Sequence, residues 1–65
     1  MFWVVELQNN DGTWAHIITQ HSTREEAESK YYLVLSYAAV SSLKAHGAVL
    51  FDDKGIYYQR QVYER

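Results

Sequence analysis

The chain has no cysteine and no proline, only three glycines, no run of like charge, and nothing approaching the ~18 consecutive apolar residues of a membrane span. Each absence removes a class. Without cysteine there is no disulfide framework and no thiolate metal site. Gly12, Gly47 and Gly55 are too few and too widely spaced for a dinucleotide fingerprint or a P-loop. The net charge of −2 brings neither the basic stripe of a nucleic-acid binder nor a solvating acidic tail. Nucleic acid is therefore not favoured as a partner, and the same charge is too little for a mimic of a duplex that carries one charge per about 1.7 Å. Met1 to Glu6 has no basic region and no long apolar stretch, which argues against a signal peptide. A cytosolic protein with no membrane contact is the expectation.

What is present is apolar and aromatic. Of the 65 residues, 48% are hydrophobic, and they include two tryptophans, two phenylalanines and six tyrosines. A chain of this length reads as a single domain, residues 1–65, and one so small buries only about 60% of the surface its unfolded chain exposes. Such domains commonly add disulfides, a structural metal or a partner subunit. With the first excluded and no metal set in view, a homo-oligomer, dimer or higher, is expected.

Phe2–Gln8 and Thr13–Gln20 are rich in β-branched and aromatic residues and flank Asn9-Asn10-Asp11-Gly12, which suits a type I turn followed by a left-handed glycine. Ala48–Phe51, Asp52-Asp53-Lys54-Gly55 and Ile56–Tyr63 repeat that chemistry as a second hairpin. Between them, Ser22 with Glu25 fits a capping box, and good helix formers continue without glycine or proline, predicting a helix from about Thr23 to about Ser42 or Lys44. The order is ββαββ, an α+β fold in which two β-hairpins form a four-stranded antiparallel or mixed sheet with one helix packed on one face.

The helix carries two apolar stripes. Ala27, Tyr31, Val34, Leu35 and Ala38 have the spacing of a face turned to the sheet. Leu33, Tyr37 and Val40 form a second stripe, which is predicted to be an oligomer interface because a four-stranded sheet covers only one side of a helix. A three-residue first loop would place Trp3, Val5 and Leu7 on one sheet face with Ala15 and Ile17, and Phe2 and Val4 on the other with Trp14, His16 and Ile18.

For chemistry, His16, His21 and His46 lack ligand spacing, so no metal and no cofactor is expected. His16 reads as a sheet-face residue, and His21 and His46 as loop or helix-flanking residues. Asp11, Asp52 and Asp53 read as turn formers. Ser22, Ser29, Ser36, Ser41 and Ser42 all lie on or beside the helix. Glu6, inside an apolar strand, reads as a solvated edge residue or a partner of Arg60. No nucleophile, base and orienting group converge, so no catalytic residue is assigned and the chain is read as a non-enzyme. Trp14, His16, Tyr57, Tyr58, Arg60 and Tyr63 are candidate ligand- or partner-binding residues, able to supply stacking faces and an anion clamp for a nucleotide or hot spots for a protein.

The segment Glu26-Ala27-Glu28-Ser29-Lys30-Tyr31-Tyr32, continuing through Ala38-Ala39-Val40-Ser41-Ser42 to His46-Gly47-Ala48-Val49-Leu50, together with the Phe2–Gln8 strand, resembles small uncharacterised proteins encoded by phages and prophages of Gram-positive bacteria. The resemblance implies a mobile-element origin and residence in the host-cell cytosol. Small phage proteins without enzymatic motifs are often inhibitors of host defence that cover an effector protein or sequester a signalling nucleotide. Others are minor virion or assembly factors, and a small enzyme is the remaining alternative.

Overall fold

A computed structural model describes residues 1–65. Four strands, β1 (Phe2–Asn9), β2 (Trp14–His21), β3 (Ala45–Asp52) and β4 (Tyr57–Glu64), form one antiparallel sheet in the order β2-β1-β3-β4, and helix α1 (Arg24–Ala39) lies across one face. The expected ββαββ arrangement is therefore the fold. No helix is long and apolar enough to cross a membrane.

The second hairpin turns as its residues predict. Gly55 has φ 84°, its N–H donates to the Asp52 carbonyl at 3.1 Å, and the Asp52 N–H donates to the Ile56 carbonyl at 3.1 Å. The first hairpin differs by one residue. Asn9 Oδ1 accepts the Gly12 N–H at 2.9 Å, and Asp11 Oδ1 accepts the Thr13 N–H at 3.2 Å. These side-chain bonds hold Thr13 in the loop, so Asn9 pairs with Trp14 across four loop residues. One added residue reverses the side of every β2 side chain. Trp3, Val5 and Leu7 consequently share their face with Trp14, His16 and Ile18, and Ala15 and Ile17 join Phe2 and Val4.

The helix begins one residue later than its capping pattern suggests. Thr23, not Ser22, is the N-cap, its hydroxyl accepting the Glu26 N–H at 3.2 Å, and Glu25 and Glu26 favour the positive end of the dipole. It ends at Ala39, short of Ser42. Ser41 Oγ accepts the Leu43 N–H at 3.1 Å, a local bond that competes with helix continuation. The exposed carbonyls are met by Arg65, whose Nη2 donates to Ala38 at 2.7 Å and Ala39 at 3.0 Å. That early end frees Ala45, His46 and Gly47 for β3, so the strand matches all eight residues of β1.

Ala27, Tyr31, Val34 and Ala38 are buried, as the first stripe predicts, and Leu35 is half-buried. With Val4, Ala48 and Leu50 from the sheet they form the core, flanked by Phe2 and Tyr58. Fully burying a side chain such as Leu50 or Val34 contributes about 1.5 to 3 kcal/mol, and very few positions here reach that depth.

Candidate functional site: the open face of the sheet

The helix covers only the face that carries Val4, Ala48 and Leu50. Strand alternation places Trp3, Val5 and Leu7 of β1 and Val49 and Phe51 of β3 in the middle of the other face, with Trp14 and Ile18 on one flank and Tyr57, Arg60 and Val62 on the other. Trp14, Ile18 and Tyr57 are 48%, 60% and 68% exposed, and Phe51 and Tyr57 lean ring to ring at 5.6 Å. Four strands at a spacing of about 4.8 Å make a platform roughly 14 Å wide between outer strand axes, and eight residues give it about 26 Å of length. It is a broad surface, apolar in the middle, with aromatic groups at both ends, Arg60 and Glu64 on the β4 flank and His16 and Gln20 on the β2 flank. Its chemistry is packing, stacking and a single cationic contact.

The six candidate binding residues do not converge within one chain. Trp14 and His16 lie on edge strand β2 near the first turn. Tyr57 is on the opposite edge at the other end of the sheet, and Arg60 lies mid-strand on the same open face. Tyr58 and Tyr63 belong to the helix side. Tyr58 is already engaged: its hydroxyl donates to Asp52 Oδ2 at 2.7 Å, its ring packs against Phe2 at 5.8 Å, and the Arg24 guanidinium lies 4.3 Å from its centroid. Tyr63 pairs with His46, and Arg65 stands 5.8 Å from its ring. Leu33, Tyr37 and Val40 are 46%, 58% and 84% exposed on the outer side of the helix, so the second stripe faces away from the sheet.

Glu6 is neither a solvated edge residue nor a partner of Arg60, which occupies the other face. It sits under the helix, where His46 Nε2–H donates to its carboxylate at 2.7 Å and Gln8 adds a second bond at 2.9 Å. His46 is likewise a buried strand residue and no loop residue, and its Nδ1 has no partner. Burial pushes the Glu6 carboxyl up. The bonds from His46 and Gln8, with the positive field of His46 and Lys30, outweigh it and hold the group below its ordinary range. At the second turn, the Tyr58 hydroxyl lowers the Asp52 carboxyl, burial opposes it, and the Ile56 and Lys54 amides strengthen the lowering. No signal within either local segment links Glu6 to His46, forty residues apart; only the strand register does. His21 closes β2 with its Nε2 2.8 Å from Thr19 Oγ1. The three histidines are thus dispersed, and no three His, Asp or Glu side chains group to share a metal ion.

These two carboxylates set an acid limit on stability. Both have folded pKa values below their unfolded ones, about 4.3 for Glu and 3.9 for Asp, so their contribution is present above that range and is lost as pH falls through the folded values. The melting temperature should hold from pH 7 to about 5 and fall steeply below about 4. Glu6→Gln should start lower at pH 7 and fall less on acidification. An equal acid response in the variant and the wild type would remove Glu6 from the account.

No family model, curated protein or solved structure matches the chain.

Proposed function

We propose that this chain is a non-enzymatic, phage-encoded binding protein that inhibits a host defence system by laying its open sheet face on an effector protein. The observation that carries the reading is that face: Trp3, Val5, Leu7, Val49 and Phe51 line the middle of a surface that the chain's own helix leaves bare. Soluble proteins rarely leave contiguous apolar patches above a few hundred Å² open unless a partner covers them. The flanking Trp14, Tyr57 and Arg60 are the residue types that dominate protein hot spots. A protein occupant is favoured over a nucleotide because one chain encloses no cavity, whereas small-ligand sites are concave. The phage setting comes from the resemblance of the helix and third strand. Self-association through Leu33, Tyr37 and Val40 belongs to the same proposal, since it would cover the outer helix stripe.

The test is capture from a bacterial lysate by wild-type protein and by Tyr57→Asp with Arg60→Glu. Both positions are exposed, so the double variant should fold normally. It should lose at least about 90% of the captured partner, because removing a hot-spot residue costs on the order of 2 kcal/mol or more and here two are reversed in charge or made charged. Leu33→Glu with Val40→Glu should lower the oligomer mass while leaving capture intact. Equal capture by the Tyr57/Arg60 variant would show that the partner sits elsewhere.

A further inference from the structure

The two edges of the sheet are built differently. Strand β4 carries Arg60 and Glu64 and a register shift opposite Leu50 and Phe51, features that discourage further strand pairing. Strand β2, Trp14–His21, has no lysine, arginine, aspartate, glutamate or proline over eight residues, shows no register shift, and is exposed along most of its length. An edge that long and unguarded is a template for another strand.

The ladder identifies which groups of β2 are free. The Asp53 N–H donates to the Met1 carbonyl, and the Arg65 N–H donates to the Lys44 carbonyl. In an antiparallel ladder the N–H and C=O of a residue point to the same side and alternate along the strand. The odd residues of β1 therefore bond to β3 and the even ones to β2. Their partners Ala15, Ile17, Thr19 and His21 bond inward, and the N–H and C=O groups of Trp14, His16, Ile18 and Gln20 point out from the edge.

We infer that a second copy of this chain pairs with β2 through a twofold axis at Ile17, joining the two sheets into one of eight strands. The register follows from satisfaction of the backbone. Twofold antiparallel pairing must match outward-pointing residues with outward-pointing residues, and one register alone uses all four: Trp14 with Gln20 and His16 with Ile18, each pair exchanging both N–H···O bonds. Centring on His16 leaves Gln20 unpaired, and centring on Ile18 leaves Trp14 unpaired. The chosen register sets Ile17, 47% exposed in one chain, directly against the partner's Ile17. A second copy fits better than a foreign strand because it supplies the same uncharged edge and closes the assembly, leaving only the guarded β4 edges outside. Both helices then lie on one side, and both open faces join into one continuous surface. This inference stands apart from the identity of the bound partner, and it uses a surface disjoint from the Leu33 stripe.

Ile17→Cys tests it, since the chain has no other thiol. A non-hydrogen-bonded pair has Cα atoms about 4.5 Å apart, inside the roughly 4.4 to 6.8 Å window of a disulfide. Mild oxidation should give a covalent dimer at least about tenfold faster than Ile56→Cys, an exposed turn control, because paired thiols meet at a raised effective concentration. Ile17→Lys should halve the mass measured by light scattering while keeping the circular dichroism spectrum. Leu33→Glu with Val40→Glu should leave a dimer of about twice the 7.6 kDa chain. A wild-type monomer at high micromolar concentration, or Ile17→Cys linking no faster than Ile56→Cys, would overturn the inference, as would an Ile17→Lys protein of unchanged mass.

Discussion

Gly47→Ala should lower the melting temperature by about 10 °C or more, and Gly47→Val should lower it further still. Gly47 is the third residue of β3, on the open face between Leu7 and Val62. A Cβ built there falls 2.2 Å from the Gln61 carbonyl oxygen and 2.6 Å from Val62 Cα. Both are backbone atoms of β4, so relief requires the edge strand to move and its ladder to open. Overpacking a core costs about 1 to 3 kcal/mol and sometimes more. A domain of this length has roughly 3 to 10 kcal/mol of total stability, so that cost consumes much of the margin. Gly12→Ala supplies the contrast: with φ 95° and open space around its Cβ, it should cost only the left-handed penalty of about 1 to 2 kcal/mol. Thermal melts by circular dichroism rank the two. Gly47→Ala melting at or above Gly12→Ala would show that β4 is not held where these contacts place it.

Leu50→Ala should lower the melting temperature by about 15 to 30 °C. Leu50 is fully buried opposite Val4 on the sheet, in the core that Tyr31 and Val34 of the helix complete, and it is with Val4 and Val34 one of the largest fully buried side chains. Leucine-to-alanine changes at such sites cost about 3 to 5 kcal/mol, combining lost burial with an unfilled cavity. For a domain of this size each kcal/mol moves the midpoint by about 4 to 8 °C. Val49→Ala, one residue away on the open face and half-buried, should cost distinctly less. Equal losses at the two positions would mean that both faces of β3 are packed alike in solution.

The features legible in the residues are those decided by neighbours a few positions apart. The glycines of both turns, an acidic first helical turn beneath a Ser-Thr cap, and the Ala27, Tyr31, Val34, Ala38 stripe are each local, and each appears in the fold. The ends of the helix were less legible, because Ser22 and Thr23 cap almost equally well and the C-terminal carbonyls are met by Arg65, twenty-six residues beyond Ala39. Apolar residues on both faces of the sheet were also visible, but their partners were not. Asn9 and Asp11 side chains added one loop residue, and since strand side chains alternate with period two, that single residue moved Trp14, His16 and Ile18 from the helix side to the open face. The candidate surface therefore took its composition from the sequence and its membership from the tertiary structure. The placement of β1 between β2 and β3 was beyond any local pattern, and from it follow the Glu6–His46 bond, the bare edge of β2 and the need for glycine at position 47. Each depends on which strands become neighbours, and strand neighbours are chosen by burial of the whole sheet against one helix.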